Sequence, residues 1–336
     1  MQVGELLGLP TRPNLGDREG ARRSIEKAHT ILAGIVQSTP NFTAAESALA
    51  RTACLMTELD KQWVSQCMSR WEKLAYENPN EHLLLSGLAS AYVISANTNA
   101  LSEEKTLDFR LRALALYTKL LERRPEDLEA MRNIAIVRRN LAGHYERKDR
   151  ARSYDHIQRA IEMDERRLKQ FPDSPGVRLD LSFSVSMLAT HYERYDDLEG
   201  ALGQYKRVLD LRKQNLEKDP RNVWLQGRVL YAFQRVGLLL LNRGTFAEAL
   251  AVHKEALELA GRLAPPAGDE EWSRLYSRLN IGYADALEAM GHGKDEVCRI
   301  RLVALKHHAA LARPEEFDLF HAGIAKEKIA VCAPAP

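Results

Sequence analysis

The sequence predicts an all-α protein, an α-solenoid of about six stacked helix pairs in units of about 47 residues. Three observations carry this. Prolines recur at positions 40, 79, 125, 172, 220, 265 and 314, and proline is tolerated at a helix start but not inside one. Each interval divides again near its middle at a polar turn: RKDR (147–150), RYDD (194–197), NRGT (242–245) and MGHGK (290–294). A heptapeptide is nearly repeated, LAGHYER at 141–147 and LATHYER at 188–194. Self-similarity at a fixed period marks a repeat architecture.

In chain order, residues 1–16 contain Gly4, Gly8, Pro10, Pro13 and Gly16 and are expected to be irregular. A helix follows over 17–38, then two less regular pairs over 42–77 and 80–123. First helices are expected at about 126–148, 174–195, 222–243 and 271–290. Their partners fall at about 150–171, 198–218, 246–263 and 294–312. A capping helix at 315–330 and a frayed APAP tail complete residues 314–336, so the array spans 17–313.

Small residues recur where two helices approach, at Ala142, Ala189, Gly237 and Ala284, each with a larger residue three positions on: Tyr145, Tyr192, Leu240 and Leu287. In the second helices Ala201 and Ala249 are followed by Tyr205 and His253, then by Val208 and Ala256. Small and large residues alternating on one face suit close helix packing. The HYER repetition is therefore scaffold chemistry, with Tyr145 and Tyr192 at the packing position and His144 and His191 beside it.

These positions resemble the tetratricopeptide-repeat family, most closely at LATHYERYDDLEGALGQYKRV (188–208) and NRGTFAEALAVHKEAL (242–257). The family's period is 34 residues, so this chain departs from it by a longer second helix. The resemblance implies a right-handed α-α superhelix with a concave face, lined by first helices, that binds peptide or protein segments. Carried over by position, the groove candidates are Ile136, Arg139, Gly143 and Arg147; Phe183, Ser186, Thr190 and Arg194; Tyr231, Gln234, Leu238 and Asn242; and Arg278, Ile281 and Asp285. Arginines with amides, hydroxyls and two aromatics suit an acidic or polar segment, because guanidinium pairs carboxylate bidentately.

Residues 14–28, NLGDREGARRSIEKA, repeat the second-helix pattern, DREGA (17–21) echoing DLEGA (197–201). That helix lacks a first helix to pack on, which leaves an apolar face that a second copy of the chain would cover. The stretch VGELLGLPTRPNLGDREGARRSIEKA (3–28) also resembles the segment opening the repeat region of bacterial eukaryotic-like serine/threonine protein kinases. That resemblance implies the regulatory, non-catalytic half of such an enzyme, and an extracytoplasmic position for it.

Composition narrows the alternatives. Forty-eight basic side chains against 46 acidic ones give a net charge of +2, so no whole-molecule field favours nucleic acid or membrane. Basic doublets such as Arg138-Arg139 and Arg166-Arg167 have acidic neighbours and are expected on exposed helix faces. Asp196-Asp197 reads as a solvated turn or a helix N-terminus. The tryptophans at 63, 71, 224 and 272 are expected in core or inter-pair packing.

The cysteines at 54, 67, 298 and 332 form no CxxC pair and are expected to be free buried thiols. No apolar run reaches membrane length and no signal peptide opens the chain, which points to a cytoplasmic protein. Glycine-rich loop, HRD, DFG, GxxxxGK[ST] and HExxH motifs are absent from the sequence. Ten scattered histidines suggest no converging metal ligands. The expected function is a non-enzymatic scaffold without cofactor or metal.

Overall fold

The computed structural model describes residues 17–262 and 269–309, together with Leu311, Gly323 and Glu327. Those residues form thirteen helices and no strand. They are α1 (Arg18–Ser38), α2 (Thr43–Thr57), α3 (Val64–Glu77), α4 (His82–Ala96), α5 (Glu103–Arg123), α6 (Leu128–Tyr145), α7 (Arg150–Gln170), α8 (Pro175–Arg194), α9 (Leu198–Lys218), α10 (Val223–Asn242), α11 (Phe246–Arg262), α12 (Glu270–Ala289) and α13 (Lys294–Ala309). A single 3-10 turn, Lys61–Trp63, leads into α3. The irregular segment expected before residue 17, and nearly all of the capping helix expected at 315–330, lie outside the described residues. No described helix is long and apolar enough to cross a membrane.

Side-chain caps set most helix starts. Asp17, Ser102, Asp127, Ser174, Asp197, Asn222 and Asp269 each accept a backbone N–H of the first turn, satisfying a donor that has no partner within the helix. The two DxEGA stretches are capped alike: Gly20 N–H donates to Asp17 Oδ1 at 2.7 Å and Gly200 N–H to Asp197 Oδ1 at 2.8 Å. Pro79, Pro125, Pro172 and Pro220 all fall between helices, as the proline comb requires. The turns inside pairs reverse through left-handed backbone at Asp196, Gly244 and Gly291, with φ of 60°, 74° and 76°; glycine adopts such φ without strain.

The helices form two compact units, residues 1–167 and 168–336. In the first, α2 to α6 close around Trp71, Leu88, Tyr92, Phe109, Tyr117, Leu120 and Leu141. Trp71 packs against Gly87, where a Cβ would come within 2.1 Å of the ring. In the second, Leu181, Val185, Tyr205, Phe233, Leu240 and Leu279 are almost completely buried, each such large side chain contributing about 1.5–3 kcal/mol through loss of apolar surface to water. The aligned small residues Ala142, Ala189, Ala284, Ala201, Ala249 and Ala256 are at most 1% exposed, so the spacing read from the sequence is the close-approach face. Trp224 meets Phe183 edge-on across successive pairs, 6.4 Å between centroids, and Trp272 stacks on Tyr276 at 4.6 Å.

Two sequence expectations are corrected. The cysteines are not free thiols: Cys54 of α2 and Cys67 of α3 form a disulfide, and Cys298 is disulfide-bonded as well. The packing of α2 on α3 brings the two Cα atoms to 4.7 Å, within the bridging range. Nor do the arginine doublets simply line exposed faces. Asp164, fully buried on α7, accepts from Arg139 at 3.1 Å and from Arg167 at 3.0 Å. A buried carboxylate must be paired, and these guanidiniums are the groups that pair it.

Candidate functional site

In the second unit, α8, α10 and α12 are the first helices of three successive pairs, and α9, α11 and α13 their partners. Arg235 of α10 pairs with Glu193 of α8, and Phe183 of α8 meets Trp224 of α10. Lys206 and Lys213 of α9 reach Glu248 and Glu255 of α11 at 3.5 and 2.6 Å. First helices thus neighbour first helices, and second helices neighbour second helices.

The groove candidates of this unit are not alike. Arg194 and Asn242 are exposed at the ends of α8 and α10. Phe183 is held between the Arg212 guanidinium, 5.8 Å from its ring centre, and Trp224. Thr190 donates to Ser186 O at 3.0 Å, and Ser186 and Tyr231 are half-buried. Gln234, Arg278 and Asp285, with Leu238 and Ile281, converge on one small cleft of about 30 Å³ that Leu241, Gly282 and His253 complete. In the first unit, Ile136 is half-buried on α6, Arg139 is committed to Asp164, and Gly143 and Arg147 are exposed toward the end of α6 and in the turn after it.

His253 forms the cleft floor. It reaches from α11 to lie between two glycines, one on α10 and one on α12. A Cβ on Gly237 would come within 2.4 Å of its Nε2, and one on Gly282 within 2.3 Å of its Cε1. Only glycine permits that approach on both sides. The imidazole is 1% exposed, and neither ring nitrogen has a hydrogen-bond partner in the protein; the Oε1 of Gln234, 3% exposed, has none either. Burial pushes the His253 pKa down to about 4, against a smaller upward pull from Asp285, so the ring is neutral near pH 7, with one donor and one acceptor. Arg278 and Asp285 bring one charge of each sign to the lining, and Asp285 also accepts from Arg301 at 3.0 Å.

One pair earlier the same location is filled. Tyr205 occupies the position of His253, and its hydroxyl lies 3.0 Å from Thr190 Oγ1 and donates to Glu193 Oε2 at 3.5 Å. The Arg235 guanidinium covers its ring at 5.2 Å. Counted from the aligned small residues Ala189, Gly237 and Ala284, Thr190 becomes Leu238, Glu193 becomes Leu241 and Arg235 becomes Gly282. These three polar partners of the aromatic ring are replaced by apolar or absent side chains, and a cleft stands where a hydrogen-bonded cluster stood. The sequence alignment places His253 in a packing position, which is correct for its backbone. It does not reveal that the ring lacks partners, although the three replacements that remove them are written in the sequence.

No family model matches the sequence, and no curated protein sequence matches it. Similarity appears among solved structures. A signal transduction ATPase with numerous domains, carrying a tetratricopeptide-repeat sensor, from Pyrococcus horikoshii, superposes with a TM-score of 0.59 at 15% identity, over 93% of this chain and 41% of that one. This chain therefore spans less than half the length of that ATPase. A tetratricopeptide-repeat protein from Parabacteroides merdae gives a TM-score of 0.43 at 13% identity, over 91% and 93% of the two chains. BtubC from P. vanneervenii gives 0.47 at 18%, over 81% and 92%. At these identities the likeness concerns the fold, a helical solenoid of the tetratricopeptide type.

Proposed function

We propose that this chain is a non-enzymatic scaffold that holds a peptide or protein segment against the first helices α8, α10 and α12. The observation that carries this is the convergence of Gln234, Arg278 and Asp285 from two neighbouring first helices on a cleft floored by a buried polar side chain without a protein partner. Solenoids of helix pairs present extended surfaces suited to such segments. An acidic segment is a weaker fit than the arginine count suggests, because Arg139 is committed to Asp164 and Arg235 to Glu193. A polar, near-neutral segment suits the mixed lining better. Residues 17–313 are the repeat array in this reading, and Ile31 and Ile35, exposed on α1, support self-association through that helix.

The test is capture of partners from source-cell lysate, followed by calorimetry with each purified partner. Arg194→Glu with Tyr231→Ala, both on the proposed face, is expected to weaken a true groove ligand at least tenfold while helicity is retained. A partner that binds the variant as tightly as wild type places the contact elsewhere and removes the groove reading.

A second reading, the regulatory repeat region of a serine/threonine kinase, is supported by the likeness of residues 3–28. The disulfides favour an oxidising compartment over the cytoplasm, which agrees with an extracytoplasmic repeat region. A protein kinase recovered among the captured partners would favour it.

A further inference from the structure

The cleft floored by His253 has the chemistry of a site for one kind of group. A buried hydrogen-bonding atom without a partner costs free energy unless a ligand or solvent supplies the bond. Here three such atoms gather at one place: both ring nitrogens of His253 and Oε1 of Gln234. The preceding pair shows that the fold can satisfy a polar ring at this location, since Tyr205 has Thr190 and Glu193 within reach. In the next pair those positions hold Leu238 and Leu241, and the covering arginine has become Gly282, so the floor opens into the cleft.

The ligand must offer a donor to Gln234 Oε1 and a complementary group to one nitrogen of a neutral imidazole, because the two ring nitrogens point too far apart for one small group to meet both. It must also fit between Leu238, Leu241 and Ile281. A carboxylate offers no donor to the Gln234 carbonyl and would face Asp285. An ammonium or guanidinium has no acceptor to give, would lie beside Arg278, and would find Asp285 already paired with Arg301. A primary carboxamide carries two N–H donors and one carbonyl acceptor without charge. We propose that this cleft binds a primary carboxamide, the side chain of an asparagine or glutamine in the partner segment, over His253 and Gln234. The identification of the ligand as part of a partner segment rests on the scaffold reading above; the carboxamide chemistry of the cleft does not.

The full chain, isotopically labelled at isoleucine and leucine methyls, is titrated with propionamide, propionate and propylammonium. Propionamide is expected to give saturable shifts at Ile281 and Leu238, and the two charged analogues none. Gln234→Leu removes an acceptor without emptying the space, and Leu238→Phe fills the cleft from a half-buried position. Each is expected to weaken propionamide at least tenfold, with the methyl signals of Leu181 and Leu188 on α8, in the same unit, unchanged as proof of folding. Absence of a saturable shift with propionamide overturns the proposal, as does equal binding by the two variants or equal binding of propionate.

A peptide-display selection on the full chain separates this proposal from the scaffold reading. Enrichment of asparagine or glutamine at one position, lost with Gln234→Leu, supports both. Peptides selected without that enrichment leave the scaffold standing and overturn the carboxamide anchor. Propionamide binding with no peptide selected supports the cleft chemistry and overturns the scaffold.

Discussion

His253 makes the second unit sensitive to acid. Its pKa is lowered from 6.5 to about 4, first through burial, with Asp285 opposing. The unfolded chain therefore takes up a proton near pH 6.5 that the folded chain refuses until about pH 4. Stability from this residue is complete above 6.5 and is lost as the pH falls through that window, by on the order of 3 kcal/mol. His29, His144, His156 and His307 are also held below the ordinary histidine value, chiefly by burial, and act in the same direction. His253→Leu isolates the one contribution: the loss of urea stability between pH 7 and pH 4.5 is expected to be smaller in the variant than in wild type. An unchanged loss would mean that the ring is already solvated in the folded state.

At the scale of elements, α6 and α7 are joined by charge as well as by apolar packing. Asp164 is fully buried and accepts from Arg139 of α6 and Arg167 of its own helix, while Ser153 of α7 donates to the Ala142 carbonyl of α6 at 3.1 Å. Removing one member of a buried ionic cluster leaves its partners uncompensated, at a cost of about 3–5 kcal/mol. Asp164→Ala is expected to lower denaturant stability by that amount, and Asp155→Ala, whose exposed pair with Arg159 spans one turn at 2.8 Å, by less than about 1 kcal/mol. Similar losses in the two variants would show that the cluster is not dry. The helices themselves were legible because proline, capping residues and small residues act locally and repeat. Whether a given arginine faces water or a buried aspartate was not legible. That depends on a residue 25 positions away, and the doublets look alike in sequence whether they are paired or solvated. The cleft falls between these cases. Gln234, Arg278 and Asp285 follow from the repeat register, whereas the missing partners of His253 appear only when one unit is compared with the next.

At the scale of the whole molecule, packing runs between helices that are neighbours in the chain. Each of α1 to α5 packs on the helix that follows it, as does each of α8 to α12 in the second unit, with α2 meeting α4 and α10 meeting α12 one step further on. In such an array stability approximates a sum of local and nearest-neighbour contributions, so a defect should be felt near its origin. The Cys54–Cys67 bridge is the sharpest local perturbation available. It joins α2 to α3 across a sequence separation of 13 residues, and restricting an unfolded loop of that size stabilises by about 3 kcal/mol. Alanine at both positions removes the bridge without placing a polar group among side chains at most 2% exposed. Hydrogen exchange is expected to show amides of α2 and α3 losing protection roughly 100-fold, about 3 kcal/mol, with those of α10 to α12 unchanged. A uniform loss across every helix would instead make the chain a single cooperative unit. In that case a ligand bound over His253 would stabilise α2 as strongly as α11, and the scaffold would transmit occupancy along its length.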